Sequence, residues 1–452
     1  MTMSSKIIPR VKPHSWLWGS VKPYQKDTLG FLQRSIETYG DIFQFRTAHK
    51  RITVLNRPEY IQHVLQKNHR NYKRHFAYEV LKLLLGNGLI CIDGEKWKEE
   101  RRLMQPHFHK ESIRSYFSII DQFTKEAIKQ WNTRSEVWLL SEMTELTLDI
   151  ITNCFLGGSV TNGAAVVEKN LPFALQTIID RIHSPLQSPL WFPTAKNKKF
   201  KKCIRNLERL VAEIITEKEK KPIGNDLITM YLLLERKGEN ITKQQIFDEV
   251  ITILTAGHET TAIALYGLIK NVSENDTIQQ KIIKEFEQVT KGKPLSIEHL
   301  GQLGYIDNVI KESLRLSSPA WTIGREVIED DIIDGYLIKK GESVMTSPYL
   351  LHRNKDLWKD PNVFDPDRFT TELPHKFAYF PFGGGPKLCI GMGLAIMEMQ
   401  IILYHILNSD FKMESLSEKK IEFEASITLR PKTDIRLVKS LAKPKKILEP
   451  FQ

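Results

Sequence analysis

The sequence has few cysteines, and none of them form the pairs that would make them structural. Four cysteines stand in 452 residues, and no two have the short spacing of a metal-binding or redox pair: Cys91, Cys154, Cys203 and Cys389. The sequence therefore indicates neither a disulfide framework nor a structural zinc site. This cysteine usage best fits a reducing compartment, the cytoplasm.

Long apolar runs are also absent. The best local run, residues 81–92, is shorter than the ~20 residues that a membrane-spanning helix needs, and a Gly-Asn-Gly sequence interrupts it. The first twenty residues have no continuous apolar core and contain Lys6, Arg10 and Lys12, so no signal peptide is indicated. We expect a cytoplasmic protein without a membrane span.

The motifs of several protein classes are missing. The sequence contains no Walker loop and no HExxH metal site, and Ile396 stands where a dinucleotide loop beginning at Gly391 and Gly393 would need a third glycine. The formal charge of +11 would suit nucleic acid, anionic lipid, an acidic protein or solvent alone. Because aromatic residues are not interleaved with the bases, we expect no nucleic-acid partner.

The periodicity of apolar residues predicts the fold class. Helical periodicity dominates residues 93–316, and strand patterns occur at both ends of the chain, at 41–46, 51–55, about 326–338 and 423–429. A small sheet built from both ends predicts a single, mainly α-helical domain with a minor antiparallel β-sheet. We divide the chain into an N-terminal extension (1–24), this domain (25–435) and a basic C-terminal tail (436–452).

The clearest helix is unusually long and contains an inconsistent segment. Thr242 and Gln245 have the spacing of a capping box, and apolar residues continue to about Val272. The middle reads Ala-Gly-His-Glu-Thr-Thr at 256–261, where glycine costs ~1 kcal/mol relative to alanine. A local conflict of this kind often marks a functional site.

A glycine-rich loop at 381–393 places Cys389 just before a second helical pattern, residues 394–407. Glycines let the backbone approach a flat ligand closely, and the amides at a helix start stabilise a thiolate. This environment suits a metal ligand, although a single buried cysteine is more often inert packing.

The order of residues in this loop resembles the haem-binding loop of the cytochrome P450 family, which is a highly specific motif. The matching positions are Phe382, Gly385, Lys387, Cys389 and Gly391. The resemblance continues over about residues 25–430. It implies the cytochrome P450 fold of a soluble, bacterial-type member, with heme b (iron protoporphyrin IX) bound through the Cys389 thiolate.

Two further segments resemble structural motifs of the family. Glu312 and Arg315 match its ExxR helix, and residues 361–369, which include Arg368, match its PxxFxPxRF segment. A spacing of three places Glu312 and Arg315 on one helical face. We infer a buried network of the three charged side chains that supports the cysteine loop, with a surface ion pair as the alternative.

The resemblance also implies groups that hold the two haem propionates. Trp97 and Arg101 match the family's WxxxR helix, and Arg325 and Lys387 match other positions that usually contact propionates. Arginine pairs well with carboxylates through two hydrogen bonds. Lys387 departs from the usual arginine, so its contact is expected to be single.

The central segment of the long helix resembles the family's oxygen-activation motif. Ala256 and Gly257 are expected to leave room for oxygen, and Glu259 and Thr260 to form an acid and alcohol pair that relays protons. The alternative for this pair is local bonding within a distorted helix. We assign no role to His258.

Together these motifs predict a monooxygenase that hydroxylates or O-demethylates a small organic substrate. With no flavin or nicotinamide fingerprint and no iron–sulfur cysteine cluster, electrons are expected from a separate ferredoxin and ferredoxin reductase. These would dock on bases near the cysteine side, namely Lys96, Lys98, Arg102, Lys110 and Lys387. We expect a monomer. A peroxide-driven or rearranging enzyme and a non-catalytic haem sensor or carrier are the alternatives.

The substrate itself is left open between two classes. The resemblance implies chamber walls at 76–90, 254–256, 320–323 and Ile427, mostly apolar, which favours a fatty acid or terpenoid. Basic residues near the expected entrance keep a polar substrate, such as a methylated sugar, in consideration: Lys73, Arg74, His75, Arg181 and His183.

Overall fold

Helices make up most of the chain. The structure is a computed structural model that describes residues 6–158, 163–184, 188–220, 224, 226–239, 241–413 and 421–439. It confirms the predicted mainly α-helical fold with small sheets. Residues 440–452, most of the predicted C-terminal tail, lie outside the described part.

The helices fall into two groups along the chain. Those before the long central helix are α1 Val21–Lys26, α2 Thr28–Tyr39, α3 Pro58–Gln62, α4 Phe76–Leu85, α5 Gly94–Met104, α6 Lys110–Ser115, α7 Phe117–Trp131, α8 Leu139–Phe155, α9 Gly163–His183, α10 Ala195–Lys220 and α11 Leu227–Arg236. The central helix and those that follow are α12 Lys243–Ser273, α13 Asp276–Thr290, α14 Ile297–Leu300, α15 Gly304–Leu316, α16 Pro348–Leu351 and α17 Met392–Leu407.

The strands form small sheets that join distant parts of the sequence. They are β1 Ile42–Thr47, β2 Lys50–Leu55, β3 Tyr72–Arg74, β4 Glu136–Trp138, β5 Ile323–Val327, β6 Asp331–Ile333, β7 Tyr336–Ile338, β8 Ser343–Thr346, β9 Phe411–Met413, β10 Phe423–Ala425, β11 Leu429–Pro431 and β12 Arg436–Lys439. The largest sheet has the order β1-β2-β8-β5-β3. Its pairs are antiparallel except β2 and β8, which run parallel with Ile52 opposite Ser343.

The ends of the chain pack onto these sheets. Ile8 is buried, and Arg10 forms a bridge with Gln44 of β1. Near the other end, β12 pairs with β4 and β9. The boundaries after residues 24 and 435 stay a prediction. In the described part of the chain, every helix is too short or too polar to cross a bilayer.

The long helix α12 runs through the core. Thr242 caps it, because its hydroxyl accepts a hydrogen bond from the Gln245 backbone N–H at 3.1 Å. The expected second half of the capping box is wrong: the Gln245 side chain donates to Glu100 of α5 instead. The helix packs against α8, α10, α15 and α17, and the residues on both sides of its middle are buried.

Candidate active site

The Cys389 thiol lies at the start of α17, as predicted. Its residue is exposed, yet the protein surrounds the sulfur closely enough that burial raises the thiol pKa. Both observations hold for a side chain that faces an interior space rather than bulk solvent. The amide N–H groups of Gly391 and Met392 and the charge of Arg101 act in the opposite direction and lower the pKa. Burial outweighs these three groups, which are the ones that would stabilise a thiolate ligand.

Glycine is required in the cysteine loop at Gly385. Its φ of +66° is in the left-handed region, and a Cβ there would lie 1.7 Å from the Leu65 carbonyl oxygen. The loop therefore packs tightly against the turn after α3. Within the loop, the Cys389 backbone N–H donates to the Phe382 carbonyl oxygen at 3.0 Å. These contacts fix the backbone on both sides of the thiol.

Arg325 and Arg101, two residues predicted to bind the haem propionates, have no acidic partner among the described residues. Arg325 on β5 is 6% exposed and donates to the Gly324 carbonyl oxygen at 2.9 Å. Arg101 on α5 donates to the Leu388 carbonyl oxygen and the Gln105 side chain, both at 2.9 Å. Among the described residues, neither guanidinium has a carboxylate within ion-pair distance. Buried charges are normally paired, so a ligand with negative groups fits here.

Lys387 has a partner within the protein. Its ammonium group contacts the Asp93 carboxylate and lies 5.8 Å from the centre of the Trp97 ring. Burial and, to a smaller extent, the nearby charge of Arg74 lower the pKa of Lys387 to about 7. Its expected contact with a propionate stays a prediction. Sequence reasoning did not identify Asp93, which is 294 residues away from Lys387.

The middle of α12 borders an interior space. Residues on both sides of it are buried, whereas Thr255, Ala256, Gly257, Glu259 and Thr260 are all partly exposed. A helix whose centre is accessible while the segments on both sides of it are buried borders a space within the protein. A flat, anionic cofactor such as haem fits this combination of Arg101 and Arg325, the Cys389 thiol and the space beside the centre of α12.

Gly257 has a second reason to be glycine. A Cβ at this position would lie 2.5 Å from a side-chain carbon of Ile151 on α8, so the two helices approach closely here. His258 points into the core, where its ring contacts the Leu254 carbonyl and burial lowers its pKa to about 4. The neutral, packed ring agrees with the absence of an assigned role.

Glu259 and Thr260 are adjacent on the partly exposed segment. Burial raises the pKa of Glu259, while Arg430 and the Thr428 hydroxyl lower it. Arg430 lies 3.8 Å from the Glu259 carboxylate. The Thr260 hydroxyl donates to the Ala256 carbonyl oxygen at 2.6 Å, which is the local bond that the alternative hypothesis predicts. Burial therefore favours the protonated form of the Glu259 carboxyl, whereas Arg430 favours the carboxylate, and the Thr260 hydroxyl is on the next residue.

The inferred charge network lies beneath the cysteine loop. The Arg315 guanidinium donates to both Glu312 oxygens at 2.7 and 2.8 Å, and Arg368 donates to the same carboxylate at 3.1 Å. Arg315 also donates to the His352 carbonyl oxygen, and the His352 ring accepts from the Phe380 N–H at 3.0 Å. Phe380 directly precedes the loop, so the network is hydrogen-bonded to the residue from which the loop begins.

The comparisons with known proteins agree with this site. The family model for cytochrome P450 matches residues 9–438. The chain belongs to the cytochrome P450 family. Its family and its monooxygenase relatives make it a haem-thiolate monooxygenase, which uses redox partner proteins as is typical of the family.

Similar proteins occur in both bacteria and plants. The chain is 27% identical to cytochrome P450 132 of Mycobacterium tuberculosis over 419 residues, 88% of this chain and 90% of the relative. It is 29% identical to cytokinin hydroxylase of Arabidopsis thaliana, over 96% of this chain and 84% of that protein. It is 27% identical to cyclooctat-9-en-7-ol 5-monooxygenase of Streptomyces melanosporofaciens, over 82% of each chain.

Proposed function

We propose that this enzyme hydroxylates or O-demethylates a small, mainly apolar organic substrate, with protons supplied through Glu259 and Thr260. The observation that supports this most directly is the acid and alcohol pair on the partly exposed centre of α12. A peroxide-driven enzyme or a haem carrier has no need of such a pair. Haem bound by the Cys389 thiolate would supply the activation of dioxygen and the transfer of one oxygen atom.

The residues of the chain have separate tasks in this proposal. Cys389 would bind the iron of heme b, and Arg101 and Arg325, which have no carboxylate partner among the described residues, would bind its two carboxylates. Trp97, Lys387 and the loop residues Phe382 and Gly391 complete the binding site. Each turnover consumes two electrons and two protons, and one oxygen atom leaves as water.

The proton task falls to Glu259 and Thr260. Burial favours the protonated carboxyl of Glu259, which can release its proton to a water molecule beside the Thr260 hydroxyl. Arg430 then stabilises the carboxylate that remains. Glu259 recovers a proton from solvent, so the residue returns to its initial state.

The packing of the basic residues supports the apolar class of substrate. Lys73 pairs with Glu326 at 2.8 Å, and Arg74 donates to the Leu89 carbonyl oxygen at 3.2 Å. Arg181 donates to Asn197 at 2.7 Å. Lys73 has an acidic partner, and Arg74 and Arg181 are hydrogen-bonded to neutral groups of the protein, whereas the expected chamber walls are apolar. A fatty acid or terpenoid is therefore favoured over a methylated sugar.

The function is tested with product analysis in labelled oxygen. Candidate lipids and methylated sugars are screened for the shift of the Soret band that accompanies displacement of water from the iron. Compounds that shift the band are incubated with NADPH, a ferredoxin and its reductase under labelled O2. One labelled atom in the product, or labelled formaldehyde and loss of a methyl group, supports the proposal. Turnover with peroxide alone supports the alternative.

Thr260→Ala is expected to leave folding and substrate binding nearly unchanged and to divert reducing equivalents into hydrogen peroxide. Without the hydroxyl, the proton-carrying water loses its fixed position. The measurement is the amount of product per NADPH consumed. Thr124→Val, which removes a buried hydroxyl from α7, is the control. Coupling in Thr260→Ala equal to that of the wild type would remove Thr260 from the relay.

The electron donor is proposed to be an acidic ferredoxin that docks beside α5. A surface depression of about 430 Å³ is lined by Trp97, Arg101 and neighbouring residues, and Lys98 and Arg102 stand at it. Lys96 and Lys110 are also exposed. Lys387 is only partly exposed and pairs with Asp93, so its charge is less available to a partner. The support for this site is the contact of Arg101 with Leu388, next to the cysteine.

Charge reversal at Lys98 or Lys110 is expected to slow association with the ferredoxin, and added salt should slow the wild type steeply. Exposed charges are screened beyond a Debye length of ~8 Å at physiological ionic strength. Stopped-flow reduction at several salt concentrations measures both effects. The matched control is Lys202→Glu. Lys202 is an exposed base on α10, and this helix packs on α9 and α12 rather than on α5. Equal loss of rate in all three variants would mean that the positive surface has no particular docking face.

A further inference from the structure

A second buried acid lies on α12, away from the predicted site residues. Glu249 is 0% exposed, ten residues before Glu259. Among the described residues, neither of its carboxyl oxygens has a partner at hydrogen-bonding geometry, although the Leu89 backbone N–H is close enough to favour the charged form slightly. A buried carboxyl with so little compensation is costly unless it holds a proton or binds water.

The surroundings of Glu249 favour the protonated carboxyl. The pKa of Glu249 is raised to about 8: burial raises it most, the neighbouring carboxylates of Glu100 and Asp248 also raise it, and the Leu89 amide and Lys96 act in the opposite direction. Two further titratable groups lie close to it, the Tyr231 hydroxyl on α11 and the Cys91 thiol, and burial raises the pKa of both. At neutral pH, Glu249 therefore holds a proton that it can lose without a large change of pH.

Two threonines continue from Glu249 towards the site. The buried hydroxyls of Thr252 and Thr255 have no hydrogen-bond partner among the described residues. Buried threonines in other helices donate to the carbonyl oxygen four residues earlier, as Thr124 and Thr290 do at 2.6 and 2.8 Å. Buried polar groups that lack a protein partner are the usual positions of ordered water.

These side chains share one side of α12. At 3.6 residues per turn, positions 249, 252, 255 and 259 lie within about a third of the circumference, and the ten residues from Glu249 to Glu259 span ~15 Å. The two threonines divide this length into three steps of ~4.5–6 Å at 1.5 Å per residue, a separation that single water molecules can bridge. This row of side chains, Glu249, Thr252, Thr255 and Glu259, ends at the partly exposed centre of the helix.

The other end of the row approaches the surface at α5. Glu100 is 2% exposed, and its carboxylate accepts a hydrogen bond from the Tyr231 hydroxyl at 3.0 Å. The exposed Lys96 lies one turn earlier on the same helix. The chain at Gly88 covers the row at Thr252, because a Cβ at Gly88 would lie 2.0 Å from the Thr252 hydroxyl. This segment is bonded to α12, because the Asn87 backbone N–H donates to the Asp248 carboxylate at 2.7 Å.

We propose that Glu249 is a proton-relay residue, which passes protons from solvent near Glu100 through water at Thr252 and Thr255 to Glu259. The inference rests on the proposed function, since it supplies the protons that Glu259 and Thr260 deliver. For each proton that Glu249 releases towards Thr252, it takes one from solvent by way of Glu100. The relay is therefore unchanged after a turnover, and no oxidant or reductant takes part in it.

The first test does not depend on activity. In the infrared spectrum of the resting enzyme at neutral pH, Glu249→Gln is expected to lose one carbonyl band of a protonated carboxylic acid. In the wild type this band should decrease as the pH rises through about 8. The matched control is Glu329→Gln, an exposed carboxylate that should leave the band unchanged. A spectrum in which Glu249→Gln loses no such band means that Glu249 is ionised, and the proposal is then wrong.

The second test measures coupling. Glu249→Gln and Thr252→Val are each expected to lower product per NADPH several-fold, with unchanged substrate binding, whereas Thr124→Val should match the wild type. If Glu249→Gln does not fold, Thr252→Val decides. Coupling at the wild-type level in the relay variants would overturn the proposal. A wild type that forms no product would instead contradict the proposed function, and the infrared band would then decide on Glu249 alone.

Discussion

Cys389→His is expected to abolish oxygenation and to leave at most weakly bound haem. A neutral imidazole cannot provide the anionic electron donation of the thiolate, which favours cleavage of the bond between the two oxygen atoms. The loop backbone is also held in place, because Gly385 packs against Leu65 and the Cys389 N–H is bonded to Phe382, so it has little freedom to adjust to a larger side chain. The reduced, CO-bound absorption spectrum and product formation measure both effects.

The control for this substitution is a cysteine elsewhere in the core. Cys203 is buried on α10, and Cys203→Ala should retain the wild-type CO spectrum and the wild-type rate of product formation. A wild-type spectrum of the kind given by imidazole-bound haem, unchanged by loss of Cys389, would contradict the assignment of the ligand.

The sequence correctly predicted those helices and strands whose formation depends on residues close together in the chain. The start of α12 at Thr242 follows from a side chain that caps its own helix, and β1 and β2 follow from apolar residues in adjacent segments. The side chain of Gln245 was predicted wrongly, because its partner, Glu100, comes from another helix. Very short strands such as β12 depend on pairing with distant segments, which a single sequence does not reveal.

The same distinction applies to the site. The motif positions of Cys389 and Arg101 predicted that they would approach each other, and Arg101 does contact the loop at Leu388. The pairing of Lys387 with Asp93 joins residues with no common motif, so nothing in the sequence indicated it. Glu249 was also missed, although an acid within the apolar run of α12 is a local inconsistency like the one at Gly257. Whether such an acid is paired becomes visible only when the helices around it are placed.

Glu312→Gln is expected to be the most destabilising of the substitutions considered, by ~3–5 kcal/mol, because it leaves a buried charge without its partner. Glu312 and Arg315 are both 0% exposed, and the carboxylate also binds Arg368. Most domains are stable by only ~5–15 kcal/mol, so the loss would be a large part of the total. Since the network reaches Phe380 through His352, haem retention should fall as well.

Denaturant unfolding and the rate of haem loss measure these two effects of Glu312→Gln. The control is Glu329→Gln, because Glu329 forms an ion pair of similar length with Lys340 at 2.8 Å, but with both side chains more than 60% exposed. Solvent already screens that pair, so its loss should change neither quantity measurably. If the two variants were equally stable, Arg315 would have to be compensated by its carbonyl partners alone. The charge network would then contribute little to holding the cysteine loop in place.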